Sequence, residues 1–319
     1  DATTDAPPAP LRLGAGRVAP PATAVTHVVL PGGRIRAPPT EWEVVSFDTA
    51  AVDGAAPFPL LRSVPFPVRM LAPDPNNDLG IVTTGAVPKY RALALKLHTW
   101  LHFARGSPPG KVLFFIDARD VLWGGCTTDL LSAFLALNKT IVFAAELGCL
   151  AYQQKQASQC DRFPEPPPEL RPTSDPDLLD CDFTCAPSKA FKFLNSGVVV
   201  GYAGALATFY GEVLATLSAR WINRAKAPPF DQDIVIDTYL ERWRARGYGL
   251  DYTAALSVQA HRMKRASLLV QPRALYSRVF QKRACFVHLN GGAKWMLPVF
   301  ANEPLLFGSD GSDESDDGS

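Results

Sequence analysis

Two carboxylates three residues apart, Asp117 and Asp120, close the run Val112-Leu-Phe-Phe-Ile-Asp117-Ala-Arg-Asp120. Turned to one side of a tight loop, such a pair offers the hard oxygen ligands that a divalent ion bridging a diphosphate needs. The same spacing also suits an Asp117 that caps a turn beside a solvated Asp120. Further along come Asn195-Ser196-Gly197, then Asp231 and Asp233 flanking Gln232, then His288-Leu289-Asn290-Gly291. Either acid of the Asp231/Asp233 pair can take or orient the proton of an attacking hydroxyl. An acidic first turn equally favours a helix with no chemistry nearby. A neutral His288 can give one ring nitrogen to a metal, and a lone histidine also serves as a hydrogen-bonded structural residue.

An α/β sheet is the element that must position these groups. Five consecutive apolar residues, 112–116, lie between Gly110 and Asp117. That pattern predicts a strand buried on both faces. A strand ending at Asp117 puts the acids at the sheet's carboxyl edge, where open α/β sheets bind ligands. Residues 140–145 read as the next strand, which Glu146 ends at the same edge, so a polar crevice is expected there.

Upstream, residues 24–30 read as a first strand with a Pro-Gly-Gly turn over 31–34 that lacks the complete Gly-x-Gly-x-x-Gly of a dinucleotide fold. Residues 41–47 give a second strand and 79–84 a short one. Leu93, Leu97 and Leu101 share one helical face over 89–101, with Lys89 projecting beside the carboxyl edge and Lys96 a solvated flank residue. Thr127 and Thr128 are expected to cap a helix to about Leu137. Residues 191–202 suit a strand pair, or a strand and bend, whose Asn-Ser-Gly centre lets a ligand approach backbone. Helices over 203–219 and from Asp231 to about 246 follow, and residues 284–288 read as the last ordered strand.

The chain has 319 residues, 47% hydrophobic and 20% charged, ordinary for an enzyme-sized globular domain. Residues 1–22 are Pro/Ala/Thr-rich and read as a flexible leader without signal-peptide character. Residues 308–319 form a Gly/Ser/Asp tail that cannot build a core and should be disordered. The single domain between them, 23–307, carries a Pro/Cys-rich insertion at about 152–188. That insertion is either a loop over the site or a flap fastened by disulfide. The basic clusters are short and scattered, and no nucleic-acid recognition module is present. No run of 18 apolar residues predicts an integral membrane span. The six cysteines lack zinc-site spacing, and four of them flank or lie in the insertion. Together with the acceptor triplet Asn138-Lys-Thr140 they point to the secretory pathway, either its lumen or secretion.

Taken in order, Asp-x-x-Asp after a buried strand, Phe-Leu-Asn-Ser-Gly after a long loop, Asp-Gln-Asp at a helix start and His-x-Asn-Gly near the end form a pattern. It resembles the glycosyltransferase domain of the procollagen lysyl hydroxylase family and the related collagen galactosyltransferase-like enzymes. The resemblance covers roughly residues 79–298. It implies a GT-A type α/β fold, Rossmann-like with a mostly parallel central sheet flanked by helices. It also implies a UDP-sugar donor and Mn²⁺ or Mg²⁺ as cofactor. By position, Asp117 resembles the first acid of the metal motif, which meets the ribose or the metal, Asp120 the direct ligand, and His288 the histidine completing the site. Asn290-Gly291 resembles the adjoining phosphate contact, Lys89 a nucleotide-side base, and Trp123 a residue near the same pocket. Asp231 and Asp233 resemble the acids bordering donor sugar and acceptor.

The chain departs from the family at His288-Leu-Asn-Gly291, where the family commonly has His-Gly-Asn-Gly, and in the insertion between Cys160 and Cys185. No hydroxylase iron motif follows. The expected activity is therefore transfer of a hexose, galactose or glucose, from a UDP-sugar to a hydroxyl on a polypeptide or glycan, with Asn195, Ser196 and Gly197 shaping the sugar pocket. Its competitors are a nucleotide-sugar or carbohydrate-binding protein without catalysis, and a metal-dependent phosphohydrolase or nucleotidyltransferase.

Overall fold

The computed structural model describes residues 41–47, 59–71, 88–149, 157–172, 175–181, 185, 188–220 and 231–307. The expectations for the leader, for strands at 24–30 and 79–84, and for the acidic tail lie outside the described residues. In chain order the strands are β1 (Trp42–Phe47), β2 (Val68–Leu71), β3 (Val112–Asp117), β4 (Val121–Trp123), β5 (Ile141–Glu146) and β6 (Phe193–Tyr202). They continue as β7 (Tyr248–Asp251), β8 (Ser257–Gln259), β9 (Leu268–Gln271), β10 (Ala274–Ser277), β11 (Lys282–Arg283) and β12 (Phe286–His288). The main helices are α1 (Pro59–Ser63), α2 (Pro88–Gly106), α3 (Leu130–Ala136), α4 (Ala203–Arg220) and α5 (Asp231–Arg246).

The main sheet has the order β2-β1-β3-β6-β5-β7. Its pairs are parallel except where β6 runs against β3 and β5. This is the α/β, mostly parallel architecture expected from the sequence, with one reversed strand at its centre. The apolar run 112–116 is buried throughout, and its alternate residues enter different cores. Leu113 and Phe115 pack with Leu97, Trp100, Phe209 and Tyr210 from α2 and α4. Val112, Phe114 and Ile116 pack with Leu130 and Phe134 from α3 on the opposite face. Trp100 lies stacked on Phe115, ring centroids 4.9 Å apart. Burying a side chain of that size contributes roughly 1.5–3 kcal/mol, so β3 is fixed from both sides before any polar contact at its end is considered.

Residues 191–202, expected as a strand pair or a strand and bend, form one strand with a bulge. Phe143 faces Val199 but the next residue, Ala144, faces Asn195, which leaves Ser196, Gly197 and Val198 as extra residues on β6. A bulge re-aims side chains and bends its strand, and here it turns Asn195-Ser196-Gly197 toward the ligand edge. The cap of α3 is Asp129, whose carboxylate accepts from Ser132 N, and not Thr127 or Thr128. Asp129 wins because its side chain sits at the one position where an acceptor reaches the open N–H of the third residue on.

A small sheet, β4-β12-β8, starts where β3 ends. It is tied by a disulfide between Cys126 and Cys285. A second disulfide, Cys149–Cys160, anchors the beginning of the insertion, which holds single turns at Ala157–Cys160, Pro168–Leu170 and Pro176–Leu178. Strand β12 is not the end of ordered structure. It is followed by a 3-10 segment, Gly291–Met296, and short helices Leu297–Ala301 and Pro304–Phe307. Among the described residues no helix is long and apolar enough to cross a membrane.

Candidate active site

The acids and the histidine meet because two short strands are zipped together. Asp120 immediately precedes β4, and β12 runs antiparallel to it with His288 opposite Val121. Leu289 N donates to Asp120 O at 2.7 Å, which closes the ladder at that end. Ligand atoms of Asp117, Asp120 and His288 consequently lie within 4.8 Å of one another. His288 Nε2 is 3.2 Å from Asp120 Oδ1 and 3.9 Å from Asp117 Oδ2.

The other ring nitrogen is already committed. Nδ1 of His288 lies 2.8 Å from Gln259 Oε1 and 3.2 Å from Asn195 Oδ1. Both are acceptors, so Nδ1 donates and Nε2 is the nitrogen presented to the carboxylates. A polar partner on the far nitrogen is how proteins fix a ligating imidazole. Burial opposes a charge on His288, yet the Asp120 and Asp117 carboxylates raise its pKa. Burial likewise works against ionised Asp120, but His288 and Lys294 hold its carboxyl well below the usual range. Asp117 is pushed up by burial, against the pull of Lys96 and His288.

Lys96, expected as a solvated flank residue, is buried and bridges two acids. Its Nζ lies 3.1 Å from Asp117 Oδ1 and 2.5 Å from Asp231 Oδ2. The helical pattern was right but the exposure was not, because the face beside Leu97 and Trp100 meets the sheet edge rather than water. Asp231, in the acidic first turn of α5, uses its carboxylate on this lysine, with Ser196 Oγ donating at 3.4 Å.

A third cluster lies at the ends of β5 and β12. Glu146 accepts from Gln232 Nε2 at 2.6 Å, Asn290 Nδ2 at 2.7 Å and Asn195 Nδ2 at 3.3 Å. Burial pushes its carboxyl up to about 7 in spite of these donors. Glu146, Asn195, Gln232 and Asn290 thus form one carboxylate–amide network joining four distant segments. All of these groups, with Ser196, Gly197, Gly291, Lys294 and His261, border one cavity of about 450 Å³. That volume suits a small-molecule site.

The sequence-derived residues therefore divide. Asp117, Asp120, His288, Asn195, Ser196, Gly197, Asp231, Asn290 and Gly291 share the cavity wall. Asp233 is buried beyond that wall, one residue past Gln232, whose side chain takes the cavity position instead. Trp123 sits two pairs along the ladder from His288, edge-on to Phe66 and Phe286 at 5.0 and 5.4 Å, as a packing residue. Lys89 lies in the first turn of α2, with its side chain outside the described residues.

Sequence reasoning did not find Gln232, Gln259, Lys96 or Lys294 as site residues. Gln232 carried a signal, since it sits between the two acids it was read with. Lys294 Nζ reaches Asp120 Oδ2 at 2.7 Å from a 3-10 turn that no periodicity announces.

The donor set fits a divalent cation. Two carboxylate oxygens and an imidazole nitrogen suit Mn²⁺ or Mg²⁺, and neighbouring ligands on an octahedral ion with bonds of about 2.1 Å lie about 3 Å apart. Backbone geometry agrees. A Cβ on Gly197 would fall 2.1 Å from His288 Cε1 and 2.8 Å from Asp117 Oδ2, so only glycine leaves room for the three ligands to converge.

No family model and no curated protein matches the chain. Among solved structures, similarity is found to a glycosyltransferase involved in glycosylation of the major capsid of PBCV-1. It is 13% identical over 82% of this chain and 98% of that one, with a TM-score of 0.36. The chain is also similar to the galactosyltransferase LgtC, solved in complex with donor and acceptor sugar analogs. The identity there is 11% over 81% of this chain and 94% of that one, with a TM-score of 0.39.

Proposed function

We propose that this protein is a metal-dependent glycosyltransferase that moves a hexose from a UDP-sugar to a hydroxyl acceptor on a polypeptide or glycan. The observation that carries the reading is the convergence of Asp117, Asp120 and His288 at the carboxyl edge of β3, in the wall of one cavity that Asn195, Asp231, Gln232 and Glu146 also line. A site built this way separates two tasks. One side takes a cation and phosphate, and the other offers amides and carboxylates at hydrogen-bonding positions for sugar hydroxyls.

Asp117, Asp120 and His288 Nε2 would hold Mn²⁺ or Mg²⁺, which supplies Lewis-acid neutralisation of the departing diphosphate. Lys294, beside Asp120, adds a second positive charge on that side, and the Asn290-Gly291 turn lets backbone approach phosphate oxygens. Asn195 and Gln232, locked by Glu146 and by each other, shape the sugar side of the cavity. Asp231, held between Lys96 and Ser196, is the acid placed to orient the acceptor or accept its proton. The resemblance of the motif order to that of the collagen-modifying glycosyltransferases adds support for a sugar-nucleotide donor. Two disulfides fit an oxidising compartment such as the secretory lumen.

The test is a screen of sugar nucleotides for hydrolysis with and without Mn²⁺, repeated on Asp120→Ala and His288→Ala. Manganese-dependent release of free sugar from one donor, lost in both variants, is expected. Release of inorganic phosphate or nucleoside monophosphate without sugar transfer would instead identify a phosphohydrolase or nucleotidyltransferase. Donor binding with turnover indifferent to Asp231→Asn would point to a binding protein.

A further inference from the structure

We infer that the Cys126–Cys285 disulfide is a positioning element for the Asp120–His288 pair, so that divalent-metal affinity and the redox state of this bond are linked. The inference rests on the metal reading above and goes beyond it by naming what holds two of the ligands in register.

The β4–β12 ladder is only three pairs long, Trp123 with Phe286, Leu122 with Val287 and Val121 with His288. Metal residues close one end, where Asp120 O accepts from Leu289 N. The disulfide closes the other, with Cys126 and Cys285 Cα atoms 4.4 Å apart and Gly124 N donating to Cys285 O at 2.7 Å. Between these two closures lies the whole alignment of Asp120 against His288.

Strands this short pair weakly by themselves. The two segments are 159 residues apart in sequence, so no local turn sets their register. A slip of one residue would turn His288 to the opposite face of its strand, away from Asp117 and Asp120. The covalent bond excludes that slip. The backbones also approach closely at that end, since a Cβ on Gly124 would lie 2.3 Å from Ala284 O. The parallel neighbour β8 supports β12 from its other side and is not paired with β4.

Opening the bond consumes two electrons and two protons. Two glutathione thiols supply them and become glutathione disulfide, while Cys126 and Cys285 become thiols. If the closed bond favours metal binding by some factor, bound metal must protect the bond by the same factor.

Two measurements test this. Calorimetric titration with Mn²⁺ is made on the oxidised protein and on Cys126→Ser/Cys285→Ser, whose folding is checked by circular dichroism. At least a ten-fold weaker Kd in the variant is expected. The native protein is then equilibrated in glutathione redox buffers with and without saturating Mn²⁺, and each disulfide is quantified by peptide mapping. Mn²⁺ should shift the reduction equilibrium of Cys126–Cys285 by a matching factor and leave Cys149–Cys160, read in the same samples, much less changed. The redox arm needs no variant and stands if the double substitution does not fold. Tight Mn²⁺ binding unaltered by opening the bond, with equal reduction in both buffers, would overturn the linkage alone. An oxidised protein that binds no Mn²⁺ would overturn the metal reading beneath it.

Discussion

Replacing Gly197 with alanine adds one methyl group at the most crowded point of the site. The new Cβ would lie 2.1 Å from His288 Cε1, 2.6 Å from His288 Nδ1 and 2.8 Å from Asp117 Oδ2. Carbon atoms in contact sit about 3.5–4.0 Å apart, so the ring or the strand must retreat by more than an ångström. The ring cannot do so and keep its bond to Gln259 Oε1 at 2.8 Å. Forcing a methyl into a packed interior costs about 1–3 kcal/mol, and a buried polar group stripped of its partner adds about 1–3 kcal/mol. A loss of about 2–6 kcal/mol in unfolding free energy is therefore expected, read from urea denaturation in the presence of a chelator. Disturbing the partner that orients a ligating histidine commonly lowers metal affinity about 10–100-fold, so Mn²⁺ titration should weaken by at least about ten-fold. Gly110→Ala is the comparison, because nothing lies within 4 Å of its Cβ position. If Gly197→Ala unfolds at the wild-type urea concentration and binds Mn²⁺ equally well, the account of how the three ligands converge is wrong.

Glu146 predicts a pH dependence of stability. Its folded-state pKa is raised from 4.5 to about 7, so the folded protein keeps a proton that the unfolded chain gives up. This contribution is fully present below about pH 4.5 and is lost as the pH rises through about 7, worth about 3 kcal/mol. Glu146→Gln should flatten that part of a urea-midpoint profile between pH 5 and 8, and an unchanged slope would refute the assignment. Lys96→Met leaves Asp117 and Asp231 buried without their shared cation, and a loss of about 3–5 kcal/mol is expected, partly recovered by adding Asp231→Asn. A loss below 1 kcal/mol would show the pair to be far better solvated than the geometry implies. Asp129→Ala removes the α3 cap and should cost about 1 kcal/mol, with Thr128→Ala much nearer neutral in the same denaturation assay.

Residues announced themselves in the sequence wherever a function coincided with the end of a regular pattern. Asp117 stood at the close of a five-residue apolar run, Glu146 at the close of the next, and His288 at the start of a glycine turn. A strand's period and its stop are local properties, and the direction of β3 and β5 followed from them. Lys96 illustrates the opposite case. Helical spacing gives the face a residue occupies but not what that face meets, and the sheet edge turned an apparent solvent position into a buried ion pair. The reversal of β6 and its bulge depend on pairing with β3 and β5, which no window of sequence contains. The disulfides mixed near and far. The insertion drew attention to four cysteines, of which Cys149 and Cys160 pair, while Cys126 and Cys285 joined segments too distant for spacing to connect.

The reversed strand has a topological consequence. Because β6 starts where β5 stops, with Phe193 facing Glu146, residues 147–192 are in effect an oversized hairpin loop whose two stems sit side by side at the cavity rim. Segments closed off in this way can be lengthened, shortened or exchanged without altering any strand order, at an entropic cost that grows only slowly with length. The fold therefore leaves its greatest freedom to vary in a segment that springs from the cavity rim, while Glu146 and Asn195 at its two stems stay pinned by the sheet.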